Sequence, residues 1–474
     1  MKLHGIVLVL PSAVLLIAGI VFAQAPDTPT NFTQTLDHAL RLARMHRYAE
    51  AEAVIKGLPP PPDHEQRIAF YRLKAAIASG LGHSDAAAQN MEVASRLAPE
   101  NTDLRLAAGI ARLQAQVETH INPAATLAGL RSAVLPPEQE IEIRLRLAEI
   151  LSQAGLYAEA ATDFKAACRL APARADLLFD LALARFRIGQ LDAALASAEQ
   201  AKALEESGSV ESLIGDIQEK RGDSLAAVHS YQAAVTLEPA EERHRLALGL
   251  ELLRHQTFDA ALVVLNQAAT LFPQSVRMKI LLSLTFHFVD RSPDAVRTLL
   301  EATQLDSNDE TAARYLGEIT LEDSADPDPA AVAQVCKFAD KEPKSWSANV
   351  FCGGILLRIA RESGDTSRKP EIFRRLQHAV RVAPGEALAR CQFGKALEWT
   401  EDWHEARTQM EACVRLDPDS PEGHYHLSRI YRRLGLTGLA SQQTLLQEEG
   451  AQHQSEESVR RTKTVTQFLV LLER

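Results

Sequence analysis

Apolar residues recur along this chain at intervals of three and four, in successive blocks of about 34 residues. In the block 141–174, one set of apolar positions lies on a single face of a predicted helix: Leu145, Ala148 and Leu151. A second set with the same spacing follows Gly155: Tyr157, Ala160, Phe164 and Ala167. Pro172 then ends the second helix, because proline lacks the amide hydrogen that a helix needs. The block therefore predicts two short helices joined by a tight turn.

Each predicted pair of helices has an apolar face that it cannot bury alone. The small residues Ala148 and Ala160 let the two helices approach closely, while Tyr157 and Phe164 fill the space beside the contact. The apolar surface that is left requires a similar pair on each side. Alternating patterns typical of strands are missing from the sequence, so we expect a stack of helical pairs with almost no strand.

The second-helix alanines show how regular the blocks are. Ala160, Ala194, Ala227, Ala261 and Ala295 are separated by 34, 33, 34 and 34 residues. About twelve such blocks fill residues 32–454, and they are most regular in 141–309 and 387–454. The block 344–386 carries a polar insertion at 362–370, which we expect to form a loop on one face of the stack.

These blocks resemble the tetratricopeptide repeat, a helix-turn-helix unit with a small residue in each helix, an aromatic residue near the second helix and a closing proline. The resemblance rests on residues such as Ala148, Ala160, Tyr157 and Pro172. It implies an all-α, right-handed superhelical solenoid whose groove binds a peptide or a protein. It implies no cofactor and leaves the partner open.

The two ends of the chain differ from the repeats. Residues 1–23 begin with Lys2, continue as an apolar run and end in small residues, which predicts a signal peptide, and residues 24–31 read as a linker. The alternative is an uncleaved membrane anchor, because residues 5–23 almost reach the roughly 20 apolar residues of a spanning helix. Either interpretation predicts an exported, periplasmic or secreted protein, or one held near a membrane. Residues 455–474 are predicted to form a capping helix.

Charge argues against a nucleic-acid partner. The formal net charge is −11, and it becomes −12 when Lys2 is removed with the predicted leader. Phosphate groups would be repelled by such a protein as a whole, so we expect no nucleic acid to bind.

Five cysteines are too few and too scattered for a disulfide framework or a zinc motif: Cys168, Cys336, Cys352, Cys391 and Cys413. We expect them to be buried thiols that pack as small apolar residues. The alternative for an exported protein is a pair of disulfides, Cys336–Cys352 between neighbouring helices and Cys391–Cys413 within one block.

No catalytic or metal-binding pattern is evident in the sequence. His424 and His426 are two residues apart and point in different directions on a helix, so they are not expected to share a metal. The candidate partner-binding residues are instead Tyr425, Arg429 and Arg432, which lie at spacings of four and three on one predicted helix. Apolar first-helix positions form a second candidate surface: Phe179, Leu183, Phe186, Leu246, Leu250, Leu284 and Phe288.

These features favour a non-catalytic scaffold or adaptor of the cell envelope that binds a peptide or protein along the first helices. The alternative is a periplasmic helical module of a machine that exports or assembles polysaccharide or protein. An enzyme is not expected, because no stretch of about 100 residues is left outside the repeats to form a catalytic domain.

Overall fold

The computed structural model describes residues 30–322 and 326–455. These residues form 24 helices and no strand, so the expected all-α fold class is confirmed for the described part of the chain. The predicted signal peptide at 1–23, nearly all of the linker at 24–31, and the predicted capping helix beyond residue 455 lie outside the described residues. No described helix is both long enough and apolar enough to cross a lipid bilayer.

The chain divides into two compact units, Met1–Glu206 and Ser207–Arg474. In each unit, consecutive helices pack as pairs joined by short turns, and each pair packs on the next. We call the two members of a pair its first and second helix. The N-terminal unit contains α1 (Thr30–Arg44), α2 (Tyr48–Ile55), α3 (His64–Gly80), α4 (Ser84–Leu97), α5 (Thr102–Glu118), α6 (Ala124–Arg131), α7 (Pro137–Gln153), α8 (Tyr157–Leu170), α9 (Ala175–Arg187) and α10 (Leu191–Leu204).

The C-terminal unit repeats the same arrangement. It contains α11 (Gly208–Arg221), α12 (Ser224–Leu237), α13 (Glu242–Arg254), α14 (Phe258–Leu271), α15 (Val276–Phe288), α16 (Ser292–Leu305), α17 (Glu310–Glu322), α18 (Pro329–Lys341), α19 (Trp346–Ser363), α20 (Lys369–Val382), α21 (Ala387–Trp399), α22 (Trp403–Leu416), α23 (Pro421–Arg433) and α24 (Thr437–Ser455).

Local chemistry explains where these helices begin and end. The Asn101 side chain accepts a hydrogen bond from the Leu104 amide at 3.0 Å and thereby caps α5. Gly155 adopts a φ of 76° in the turn between α7 and α8, a left-handed conformation that glycine reaches without strain. Other residues take the same conformation in five turns, with φ between 56° and 60°: His46, His120, Gln256, Asp290 and Glu401.

Small residues mark the contacts between helices, as the repeat pattern predicts. The five regularly spaced alanines are all completely buried: Ala160, Ala194, Ala227, Ala261 and Ala295. Gly215 on α11 has the same role in its pair, because a Cβ atom there would lie 2.7 Å from the ring of Tyr231 on α12. The Tyr231 hydroxyl donates to Asp216 at 2.8 Å and holds the ring in place. Close helix contact in this pair therefore depends on glycine.

The third pair is irregular, and a buried charge network attaches it to the fourth. Its second helix, α6, has only eight residues. Asp163 on α8 is fully buried and accepts hydrogen bonds from Arg131 of α6 at 2.6 Å and from Arg144 of α7 at 2.9 Å. Since an unpaired buried charge is unfavourable, this carboxylate and the two guanidinium groups depend on one another.

The expectation of reduced thiols is wrong for four of the five cysteines. Disulfides join Cys336 on α18 to Cys352 on α19, and Cys391 on α21 to Cys413 on α22. The Cα atoms of the two pairs lie 4.9 and 5.1 Å apart. These are the two pairs of the alternative interpretation of the sequence, and packing of adjacent helices brings each within bonding distance. Cys168 is a free, buried thiol, as expected.

The polar insertion at 362–370 is partly helical. Helix α19 is extended to 18 residues and ends at Ser363, and Gly364 then reverses the chain with a φ of 73°. The loop before α20 is accordingly short, and its residues are exposed.

Candidate functional site

The N-terminal unit contains a recess of about 500 Å³, which we call the N-terminal recess. Its walls are the first helices α3, α5 and α7, and part of α4 lies beneath them. Four apolar side chains of the lining are half-buried, Ala107, Ile110, Ala111 and Ile143, and four are buried, Ala87, Met91, Leu104 and Leu106. Recesses of this size hold small ligands or a few side chains of a peptide.

Helical spacing explains how three separate helices line one recess. On α5, the lining positions Asp103, Ala107, Ile110 and Gln114 recur at intervals of four, three and four. On α7, positions 139, 142, 143 and 146 likewise share one face. The recess brings residues of the first helices α3, α5 and α7 to one side of the N-terminal unit, and α9 is the next first helix along the chain. We call this side of the unit the first-helix face.

Charged groups surround the apolar part of the recess. Gln139 donates to Asp103 at 2.8 Å, which joins α7 to α5 across the recess. Arg146 is only 8% exposed and forms an ion pair with Glu149 at 3.0 Å. Burial lowers the pKa of the Arg72 guanidinium, and the Asp103 carboxylate acts in the opposite direction. The recess can therefore form both apolar and ionic contacts with a ligand.

The first-helix face of the N-terminal unit continues onto α9. The structure places the predicted residues Phe179 and Phe186 here, together with Leu183, and all three are half-buried. Asp180 lies beside them. Burial raises the pKa of the Asp180 carboxyl to about 7, and the nearby carboxylates Asp176 and Glu149 add to this effect. Phe179 and Phe186 thus remain accessible to a partner, next to a carboxyl group that loses its charge easily.

The predicted residues of the C-terminal unit are only partly brought together. Tyr425 is 44% exposed, and the Arg429 guanidinium lies 5.7 Å from the centre of its ring. Arg429 also pairs with Glu398 of α21 at 3.3 Å. Arg432 instead donates to Thr444 of α24 at 3.0 Å. Tyr425 and Arg429 form one surface element, whereas Arg432 is directed towards the following helix.

A buried polar network supports Tyr425 and Arg429. His426 is 5% exposed, and its Nδ1 lies 2.5 Å from the carboxylate of Glu398. Burial raises the pKa of Glu398, but His426 and Arg429 outweigh this effect and hold the pKa below its ordinary value. Lys395 is also buried and pairs with Glu422, and desolvation lowers its pKa against the effect of that carboxylate. This network joins α21 to α23.

Two of the apolar positions proposed for the groove are core residues instead. Leu284 is 1% exposed and Phe288 is 7% exposed. The Phe288 ring stacks on Phe258 with a centroid distance of 5.0 Å. These side chains pack inside the C-terminal unit, because α15 is apolar on nearly every side. Leu246 and Leu250 remain half-buried.

The two neighbouring histidines have separate partners. His424 contacts Gln443 at 2.6 Å and the Pro418 carbonyl at 2.8 Å, while His426 contacts Glu398. Within the described ranges, no group of three or more histidine, cysteine, aspartate or glutamate side chains is placed to hold a metal ion.

The sequence pattern does not predict the N-terminal recess, because the recess lies at the irregular third block. A usable signal was present: Ala107, Ile110 and Ala111 are apolar positions of α5 that continue the helical spacing on its outer side. The positions of α3 and α7 decide whether these three side chains pack inward or form a surface.

Comparison with known proteins agrees with this fold. A family model described as a tetratricopeptide repeat matches residues 145–208 and 213–276. No curated protein sequence matches the chain.

Several solved structures are similar at low identity. The crystal structure of YrrB, titled a TPR protein with an unusual peptide-binding site, is 18% identical, covers 39% of this chain and 100% of its own, and has a TM-score of 0.33. The crystal structure of the APC/C hetero-tetramer Cut9–Hcn1 is 13% identical, covers 91% of this chain and 83% of its own, and has a TM-score of 0.39. The crystal structure of yeast Tom70 is 14% identical, covers 90% of this chain and 98% of its own, and has a TM-score of 0.34. These likenesses are too distant to carry an argument about ligands. Residues 145–208 and 213–276 therefore match the tetratricopeptide-repeat family, and the structure describes paired helices in both segments.

Proposed function

We propose that this protein is a non-catalytic interaction scaffold that holds a peptide or protein segment on the first-helix face of its N-terminal unit. One observation carries the proposal: the N-terminal recess combines about 500 Å³ of space with half-buried apolar side chains and charged groups at its edges. This combination is typical of binding sites, in which apolar contact supplies affinity and a few polar groups supply orientation. The described helices belong to stacked pairs, and this architecture suits a binding surface.

We further propose that the protein acts in the cell envelope or outside the cell. The disulfides Cys336–Cys352 and Cys391–Cys413 support this location, because structural disulfides form and persist in oxidising compartments. The leader predicted at residues 1–23 agrees with the same location.

Site-specific photocrosslinking tests the proposed function. A photoreactive amino acid is introduced at Ala107 in the recess and, as a matched control, at Ala158, an exposed alanine of the second helix α8. We expect position 107 to crosslink a reproducible protein in intact cells of the native host and position 158 not to do so. The same set of products from both positions, or none from position 107, would refute the proposal.

A further inference from the structure

We propose that the first-helix face of the N-terminal unit selects a segment that combines lysine or arginine with apolar side chains. This inference rests on the proposed function and adds the chemistry of the partner. Two kinds of group on this face carry it: carboxylates that are not neutralised by the chain itself, and apolar side chains that are only half-buried beside them.

Two carboxylates on this face have no cation of their own. Glu142 lines the N-terminal recess and is exposed, and within the described part of the chain it forms no hydrogen bond or ion pair. Asp180 on α9 is half-buried and likewise makes no hydrogen bond or ion pair with described residues. Its charged neighbours are Asp176 and Glu149, which repel it, and Arg174, which already pairs with Asp176. A cationic side chain from a partner would supply the missing counter-charge.

The face as a whole carries an excess of negative charge. Around the recess and the adjoining part of α9, the described residues include five carboxylates: Asp103, Glu142, Glu149, Asp176 and Asp180. Three guanidinium groups lie among them, those of Arg72, Arg146 and Arg174, so carboxylates outnumber cations. An acidic segment would add like charges to this surface, whereas a basic one would complement it.

Apolar surface lies within reach of the same carboxylates. Ile110 and Ile143 line the recess next to Glu142, and Phe179 and Leu183 flank Asp180 on α9. All four apolar side chains are half-buried, so each retains surface that a partner can cover. A segment with neighbouring cationic and apolar side chains satisfies both kinds of group together.

Fluorescence anisotropy with three labelled synthetic peptides of equal length tests this inference on the full chain. The peptides alternate leucine with lysine, leucine with glutamate, and serine with lysine. We expect the leucine–lysine peptide to bind at least about tenfold more tightly than either of the others, since both apolar and charge-assisted contacts are needed.

Two matched variants locate the binding. At pH 8, where Asp180 with its pKa of about 7 is mostly ionised, Asp180→Asn removes one unneutralised carboxylate. This change should weaken binding of the leucine–lysine peptide by about tenfold, the effect of losing one charge-assisted contact. Glu199→Gln makes the same change in net charge at an exposed position of the second helix α10 and should leave the affinity unchanged.

Equal loss in both variants, equal binding of the lysine and glutamate peptides, or no binding of the leucine–lysine peptide would each overturn the inference. The crosslinking experiment at position 107 tests the proposed scaffold function separately. Failure of that function can therefore be distinguished from failure of the inference about the chemistry of the partner.

Discussion

Removing the disulfide between Cys391 and Cys413 should loosen one helical pair and leave distant pairs unchanged. The bond joins α21 to α22 across a sequence separation of 22 residues. A loop of this length corresponds to about 3 kcal/mol of stabilisation, because the cross-link reduces the conformational entropy of the unfolded chain. In a stack whose pairs contact only their neighbours, this stabilisation acts locally.

Hydrogen exchange measured by mass spectrometry reports this local effect. In the double variant Cys391→Ala/Cys413→Ala, amides of α21 and α22 should exchange about a hundredfold faster than in the oxidised protein, as about 3 kcal/mol implies. Amides of α11 and α12, far along the C-terminal unit, should not change. Cys168→Ala is the control, because it removes a free buried thiol and no cross-link.

Two results would refute this reasoning. Exchange in α21 and α22 that is equal in the double variant and the oxidised protein would show that the bond adds no local stability. Alkylation of all five cysteines in denaturant without reductant would show that no disulfide is present, whereas we expect only Cys168 to react.

Four further substitutions should change the free energy of unfolding. Gly215→Ala should lower it by about 1–3 kcal/mol because the added Cβ would lie 2.7 Å from an aromatic ring, whereas Gly129→Ala, which meets nothing within 4 Å, should raise it by about 0.5–1 kcal/mol. Asp163→Ala should lower it by about 3–5 kcal/mol, since two arginines lose their buried partner. Asp180→Asn should raise the free energy of unfolding by at most about 4 kcal/mol at pH 8 and leave it unchanged near pH 4. The reason is that wild-type Asp180 has a pKa of about 7, against an ordinary value of 3.8.

Urea denaturation measures the free energy of unfolding of each variant. The native chain holds the Asp180 proton more tightly than the unfolded chain does, so the stability of Asp180→Asn relative to wild type should rise as pH rises from about 4 to about 7. A difference between the two proteins that stays constant over this range would contradict that expectation. For the buried network, Glu159→Ala removes only an exposed partner of Arg131 and should cost less than about 1 kcal/mol. Losses of equal size in Asp163→Ala and Glu159→Ala would show that the buried charge network is not stabilising. A stabilising Gly215→Ala would show that the helix contact does not depend on glycine.

Much of the fold could be predicted because its determinants are local. The spacing of three and four between apolar residues predicted paired helices, and the alanines from Ala160 to Ala295 were correctly assigned to the close contacts between them. The turn at Gly155 was predicted from one residue type and is confirmed by its positive φ. In a stack of similar units, local sequence and long-range packing repeat together, so one block describes the others.

The candidate binding surfaces were predicted less completely. Helical spacing places Phe179 and Phe186 at first-helix positions, and both are half-buried in the structure. The same spacing places Phe288 on this surface, but Phe288 is buried against Phe258. Helical spacing identifies the face on which a residue lies, but the neighbouring helices decide how much of that face is covered. Arg432 shares a helical stripe with Arg429 and nevertheless bonds to Thr444 of the next helix.

The sequence by itself determined that this chain forms stacked helical pairs, because apolar periodicity, small contact residues and turn glycines act within a single block. Tertiary structure decided whether the two candidate cysteine pairs form disulfides, where the N-terminal recess opens and why the pKa of Asp180 is raised. Each of these depends on distances between residues of different helices, and those distances are set by packing.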